Sequence, residues 1–167
     1  MKYIINLFLI IALLSCSQQV CDNSAYDAGM ASFKKNKAIA DEIFDLFIDK
    51  DIDGMLDMYA EDVIYSPAYT SDTLSKEDLR SAMIGWMESF EGFTFDQRQY
   101  YPGVDEDFIP DGSVRSYGEW NGVHSSGAKT KSKYYSVTRF NEEGKVTVGL
   151  EWFDVGGIFD QIEAQTN

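Results

Sequence analysis

The sequence predicts a single α+β domain in which three N-terminal helices pack on one face of a curved, mostly antiparallel sheet. Three observations lead to this prediction. Apolar residues recur at helical spacing in the first half of the chain, they alternate with a period of two over four later segments, and one short strand-like segment interrupts the helical half. The predicted order is therefore helix, helix, strand, helix and then four strands.

The helices and the short strand follow from apolar spacing and capping residues. The first helix covers about 30–49 and carries the apolar stripe Ile39, Ile43, Leu46 and Phe47. A second helix covers 53–59, and a strand at 63–65 stops before Pro67. The third helix starts with a capping-box-like segment at 75–78, followed by Leu79, Met83, Trp86 and Phe90. We expect these four side chains to face the concave side of the sheet.

The four later strands are predicted at 93–101, 114–124, 131–140 and 146–154. The segment 141–144 ends in glycine and predicts a hairpin, so the last two strands should pair antiparallel. Strict alternation places Trp152 and Asp154 on one face of the last strand, with Val146, Val148 and Leu150. It also places Trp120 and His124 on one face of the second long strand.

The size, charge and motifs of the chain limit the partners and cofactors that we expect. The chain has 167 residues, enough for one domain, and 28 Asp+Glu against 14 Lys+Arg give a formal charge of −14. Nucleic acid is therefore not an expected partner, because phosphate backbones require a basic face. The sequence has no Cys/His cluster at metal spacing, no phosphate-binding glycine loop and no Gly-x-Ser-x-Gly motif, so no metal or other cofactor is predicted. The EF-hand-like opening at 49–54 has Ala60 where the loop needs a carboxylate, which favours simple helix capping.

The first fifteen residues differ from the rest of the chain. Lys2 is their only charge and is followed by an apolar run, which is typical of a secretion signal. The segment Leu13-Leu14-Ser15-Cys16 resembles the lipobox of bacterial lipoproteins, which implies a lipidated Cys16. The predicted plan is a signal peptide at 1–15, a polar tether at 16–30, the domain at 31–162 and a tail at 163–167. The alternative is an ordinary signal peptide cleaved near Ser15 or Ser17.

If Cys16 is lipidated, the protein belongs to the bacterial cell envelope. Acyl chains contribute about 0.8 kcal/mol for each buried CH₂, so a multiply acylated cysteine holds a small domain at a membrane. Contact with the membrane would then be through the lipid anchor alone.

Three segments resemble the nuclear-transport-factor-2-like, or SnoaL-like, superfamily. They are 51–63, with its Asp-Gly-Met-Leu-Asp-Met-Tyr-Ala-Glu-Asp-Val run, 120–124, with Trp-Asn-Gly-Val-His, and 151–161, which resembles the closing strand and its tail. The resemblance covers about 31–162 and implies a cone-shaped fold. Members of this superfamily include isomerases, cyclases, dehydratases, dimerisation modules and proteins with no known activity.

Ketosteroid isomerase chemistry is not expected. Its site needs a tyrosine on the first helix, an aspartate base before a proline, and a protonated aspartate on a late strand. The corresponding positions here are Ile43, Ser66 and Ser136.

The predicted acid–base candidates are Asp154, at the end of an apolar row, and His124, on a neighbouring strand. The alternative is that Asp154 accepts backbone hydrogen bonds at a strand end while His124 lies in a solvated turn. Four aromatic residues could line a pocket for a flat apolar ligand: Tyr65, Trp86, Trp120 and Trp152. Aromatic residues at this spacing are also typical of a core.

The sequence alone leaves two functions open. The first is a lipoprotein whose conical pocket binds a small, mostly apolar molecule, with acid–base chemistry at Asp154 and His124. The second is a non-catalytic association module that forms a homodimer through its sheet and binds a protein partner through its acidic surface. A cavity of a few hundred Å³ with Asp154 in its wall would favour the first, and a cone filled by side chains would favour the second.

Overall fold

The computed structural model describes residues 23–166, which fold in the predicted order and add one helix at the end. Four helices and five strands follow one another as α1 Ser24–Ile48, α2 Ile52–Asp57, β1 Tyr59–Ser66, α3 Lys76–Ser89, β2 Phe90–Val104, β3 Pro110–His124, β4 Lys129–Phe140, β5 Val146–Phe153 and α4 Val155–Thr166. The α+β class and the mostly antiparallel sheet are confirmed.

The five strands form one sheet in the order β1-β5-β4-β3-β2. Strand β1 pairs with β5 in parallel, and the other three pairings are antiparallel. The predicted hairpin joins β4 to β5, where the Asn141 amide donates to the Lys145 carbonyl at 2.9 Å. Because β1 lies beside β5, the short early strand brings α2 and α3 to the last strand of the chain.

The helices cover the inner face of the sheet through their apolar stripes. The Ser75 hydroxyl accepts a hydrogen bond from the Asp78 amide while the Asp78 carboxylate accepts one from the Ser75 amide, which confirms the capping box at the start of α3. Leu79 and Met83 are buried in the main core cluster together with Ile43 of α1. The Lys50 ammonium closes the other end of α3 by donating to the carbonyls of Met87 and Phe90, at 2.5 and 2.8 Å.

Helix α1 begins at Ser24, so 24–30 is helical and not part of a polar tether. The physical reason is its contact with the start of β3. A methyl group at Gly29 would lie 1.8 Å from the carbonyl oxygen of Pro110, so only glycine allows this close approach. The next residue, Met30, packs against the buried cluster that contains Phe33 and Val114.

Strand β5 contains an irregularity that reverses the predicted inward and outward faces. Arg139 of β4 is opposite Val148, but the next residue, Phe140, is opposite Val146, so Thr147 is an extra residue on β5. An extra residue turns all later side chains to the other face.

Gly149 and Glu151 are therefore buried, and Trp152 is exposed. The expectation that Trp152 and Asp154 continue the inward row of Val146 is wrong.

Helix α4 occupies the segment that the sequence assigned to the end of the domain and its tail. The Asp154 carboxylate accepts a hydrogen bond from the Gly157 amide at 2.8 Å and caps this helix. Gln161 and Gln165, one turn apart, each pair with both backbone groups of one β4 residue, Lys131 and Lys129 respectively. These side chains take the place of a neighbouring strand where β4 extends beyond β5, so that edge is not free to aggregate.

The predicted signal peptide and Cys16 lie outside the described residues. Within residues 23–166, no helix is long and apolar enough to cross a membrane.

Candidate functional site

A cavity of about 100 Å³ lies between the concave face of the sheet and the three preceding helices. Its wall includes Ile43 of α1, Met55 of α2, Met83 of α3 and Ile158 of α4, so every helix contributes to it. This volume is smaller than the few hundred Å³ expected of a ligand-binding cone, and Asp154 is not in its wall. An engineered apolar cavity of about 150 Å³ holds benzene, so this one suits a compact group.

Glu151 is the one charged side chain in the cavity wall of the described chain. It is 8% exposed, and its carboxylate accepts hydrogen bonds from the hydroxyls of Tyr65, at 2.7 Å, and Tyr134, at 3.2 Å. Burial raises the pKa of Glu151 to about 6, although these two hydrogen bonds and one from the Ala68 backbone partly oppose the rise. The carboxyl group therefore changes its charge close to neutral pH.

The tyrosines around Glu151 act as neutral donors. Burial raises the pKa of Tyr59, Tyr65 and Tyr134 well above the ordinary value, and the charge of Glu151 adds to the effect. A phenolate in this position would be both desolvated and repelled by the carboxylate. Glu151 is thus the group in this cluster that can accept or release a proton in the physiological range.

Six of the aromatic side chains that line the cavity form a closed circuit of ring contacts, which we call the aromatic collar. In order around the circuit they are Trp86, Phe90, Phe93, Trp120, Tyr134 and Phe153. The centroids of neighbouring rings are 5.6 to 6.2 Å apart all the way round. These are distances at which aromatic rings contact one another, so each ring restrains the next.

Three of the four aromatic residues predicted to line a pocket do so. Tyr65, Trp86 and Trp120 contribute to the cavity wall. Trp152 does not, because the extra residue in β5 turns it to the outer face, where it is 50% exposed and stacks on Tyr135 at 5.1 Å.

The predicted acid–base pair is not assembled. Asp154 is exposed and caps α4. The His124 Nδ1 lies 2.9 Å from the Ser126 hydroxyl in the turn after β3, and its ring contacts Phe90. No hydrogen bond or ion pair joins His124 to Asp154 in residues 23–166, which agrees with the alternative of a strand-end carboxylate and a turn histidine.

Sequence reasoning missed Glu151 although the residue lies in the 151–161 segment that carried the family resemblance. Under strict alternation it faces outward, like any acidic residue on a solvated sheet face. A single acid between Leu150 and Trp152 was the available signal. Two of the positions that ketosteroid isomerase chemistry requires are close to the cavity but hold no acid or tyrosine. Ile43 lies in the cavity wall, and Ser136 is buried.

Comparisons with known proteins give the fold. No family model and no curated protein matches the chain. AusH from Aspergillus nidulans matches at 19% identity and a TM-score of 0.62, covering 73% of this chain and 85% of its own. A SnoaL-like protein of Shewanella putrefaciens, assigned as a polyketide cyclase, matches at 11% identity and a TM-score of 0.65, covering 78% and 98%.

A third match is SalBIII, an epoxide hydrolase/cyclase-like enzyme with a role in pyran ring formation in the polyether salinomycin. It is 15% identical with a TM-score of 0.60, covering 74% of this chain and 94% of its own. Matches at such low sequence identity show the architecture of this domain but do not show which reaction, if any, it catalyses. The domain has the SnoaL-like cone fold.

Proposed function

We propose that this domain binds a small, mostly apolar molecule in the cone, and that Glu151 exchanges a proton with the polar group of that molecule. The observation that supports the proposal is a buried carboxyl group, with a pKa of about 6, in a cavity wall to which residues 23–166 contribute no other charged side chain. Groups with strongly shifted pKa values in concave sites are candidates for function.

Glu151 has the properties of a general acid or base. Its pKa lies near neutral pH, where proton transfer in either direction is efficient. Tyr65 and Tyr134 orient the carboxylate from two different strands, so its position does not depend on one contact. The phenol oxygens of both residues can still accept a hydrogen bond from a polar group of the ligand beside the carboxyl.

The test is to identify the ligand and its dependence on Glu151. Native mass spectrometry of the purified protein is expected to show a small molecule that is retained by the wild type and lost in Glu151→Gln. Trp152→Leu changes an aromatic residue on the outer face and should retain the molecule, so it is the matched control. Retention by Glu151→Gln would contradict the assignment of this carboxyl group.

A second candidate function rests on the outer face of the sheet. Tyr101, Tyr117, Tyr135 and Trp152 form a row across four strands, with neighbouring centroids 4.7 to 5.7 Å apart. Three of them are 40% to 51% exposed, which is high for large aromatic side chains. Contiguous apolar surface of this kind is typical of a protein interface.

The association proposal is that a second copy of the chain covers this aromatic row. Light scattering after size exclusion should then report a dimer, and Tyr117→Lys should convert it to a monomer because the lysine places a charge in the middle of the row. Phe159→Lys, on the exposed side of α4, should leave the dimer intact. A monomeric wild type at micromolar concentration would contradict the proposal.

Anchoring is a separate proposal and rests on the sequence around Cys16. Cys16→Ala should abolish metabolic labelling by a fatty acid and release the protein from the membrane fraction. Cys21→Ala, five residues away, should change neither result. Labelling that persists without Cys16 would contradict lipidation at this residue.

A further inference from the structure

The described wall of the cavity carries negative charge and no positive charge. Glu151 is the only ionisable side chain in the wall apart from tyrosines, and no lysine, arginine or histidine of residues 23–166 lines the cavity. Its hydrogen-bond donors are all neutral, namely the hydroxyls of Tyr65 and Tyr134 and the Ala68 backbone. An ionised Glu151 is therefore solvated locally, but its charge is not neutralised by the protein.

The aromatic collar reinforces this negative character. The face of an aromatic ring carries partial negative charge and attracts cations, most strongly for tryptophan. Trp86 and Trp120 lie on opposite arcs of the circuit, with Phe90 and Phe93 between them on one side and Phe153 and Tyr134 on the other. Tyr134 belongs to the collar and also donates to Glu151, so the rings and the carboxylate border the same space.

We propose that the ligand of this cavity carries a compact cationic nitrogen, an alkylammonium group, held between the aromatic collar and Glu151. The proposal rests on the proposed function, because it names the ligand class of the same cavity. The polar group with which Glu151 exchanges a proton is then the N–H of a protonated amine, and the alkyl substituents on nitrogen contact the aromatic rings.

The alternatives fit the wall less well. An anionic ligand would meet the charge of Glu151, which no cation among the described wall residues offsets, and the protein as a whole carries a formal charge of −14. A neutral apolar ligand would fill the volume but leave the carboxylate uncompensated. A compact cation neutralises Glu151 and contacts rings on several sides, so it uses both features of the cavity.

Protonation of Glu151 should control binding of the cation. The titratable groups that face its carboxyl are Tyr59, Tyr65, Tyr69 and Tyr134, and all four stay neutral because burial, reinforced by the charge of Glu151, raises their pKa values. The surrounding helices contribute apolar side chains such as Ile43, Met55 and Met83. A change in cation affinity near pH 6 would therefore report Glu151.

The experiment compares two probes of the same shape. Choline has a quaternary ammonium group that does not titrate, and 3,3-dimethyl-1-butanol is its uncharged carbon isostere. Calorimetric titration of the full chain in a non-ionic detergent at pH 8 should give choline at least about tenfold higher affinity. Between pH 8 and pH 5 choline affinity should fall about tenfold as Glu151 is protonated, while the alcohol is unaffected.

Variants separate the cavity from the acidic surface. Glu151→Gln should remove the preference for choline and leave binding of the alcohol within about twofold, and Trp86→Leu should weaken choline selectively. Glu143→Gln removes an exposed carboxylate in the β4–β5 turn and should change nothing, which controls for general attraction of cations.

The outcomes distinguish this proposal from the function on which it rests. If both probes bind equally to the wild type, the cationic ligand is wrong and the apolar binding site remains. If neither probe binds, both proposals fail. A preference for choline that persists in Glu151→Gln assigns it to surface charge and also overturns the proposal.

Discussion

Gly149 of β5 lies directly against the ring of Tyr65 on β1, so closely that a methyl group at position 149 would be 2.5 Å from Tyr65 Cδ2. The two residues are paired partners in the parallel ladder, and the Tyr65 hydroxyl continues from there to Glu151. A glycine at this position therefore allows the tyrosine ring to lie flat on the strand and reach the carboxylate.

Gly149→Ala should displace Tyr65 and destabilise the fold by about 1–3 kcal/mol, because the ring is buried and cannot move away freely. Urea unfolding measures the change. The control is Gly85→Ala, since nothing lies within 4 Å of a methyl group there and the residue is inside α3. That control should gain about 0.5–1 kcal/mol, and equal stability of the two variants would contradict the close contact.

The burial of Glu151 predicts a pH dependence of stability. Its pKa is about 6 in the folded protein and 4.5 ordinarily, so the folded state favours the protonated form. The contribution is fully present below pH 4.5 and is lost as the pH rises through 6. The difference corresponds to about 2 kcal/mol.

Urea unfolding of the wild type and of Glu151→Gln between pH 4 and pH 7 measures this contribution. The free energy of unfolding of the wild type should fall relative to that of the variant by about 2 kcal/mol. Other groups cancel in the comparison, including Asp41, where burial raises the pKa but hydrogen bonds from Tyr100 and Arg98 hold it below its ordinary value. A constant difference across this range would show that Glu151 is not desolvated.

Removing the Lys50 ammonium group should destabilise the protein at the end of α3. Lys50→Met keeps the aliphatic chain but removes the ammonium group that donates to the carbonyls of Met87 and Phe90, and should cost about 1–3 kcal/mol. Thermal unfolding measures the loss. Lys34→Met, on an exposed position of α1, should stay within about 0.5 kcal/mol, and a similar effect of both variants would argue against a role in capping.

Gln161 and Gln165 of α4 should protect backbone amides at the edge of β4 from hydrogen exchange. In Gln161→Ala/Gln165→Ala the amides of Lys129 and Lys131 lose their acceptors, so hydrogen exchange at these two amides should accelerate at least about tenfold. Asp160→Ala, on the exposed side of the same helix, should leave both rates unchanged. Unchanged protection in the double variant would mean that the helix backbone alone covers the edge.

Local pattern predicted most of the architecture. The stripe through Ile43 and the capping box at Ser75 depend on residues within one or two helical turns, so their spacing in the sequence specifies them directly. The turn before Lys145 is equally local. For this reason the α+β class, the element order up to β5 and the final hairpin could be predicted before the structure was known.

The limits of α1 and α4 depended on contacts between distant segments. The first turns of α1 form because Gly29 docks on Pro110, and α4 lies along β4 because Gln161 and Gln165 pair with its exposed backbone. Nothing within these short, polar-rich segments specifies such docking. The sequence therefore assigned 24–30 to a tether and 163–167 to a tail, because neither segment by itself shows the strand that it contacts.

The sequence by itself predicted the elements that carry Tyr65, Trp86 and Trp120, because those elements have regular periodicity, and the resemblance to the SnoaL-like superfamily implied that they form a cone. Only the tertiary structure decided which acid enters the cone. The extra residue Thr147 arises from how β5 pairs with β4, and pairing between strands is not encoded in the alternation of either strand alone. That one residue turns Glu151 inward and leaves Asp154 at the surface.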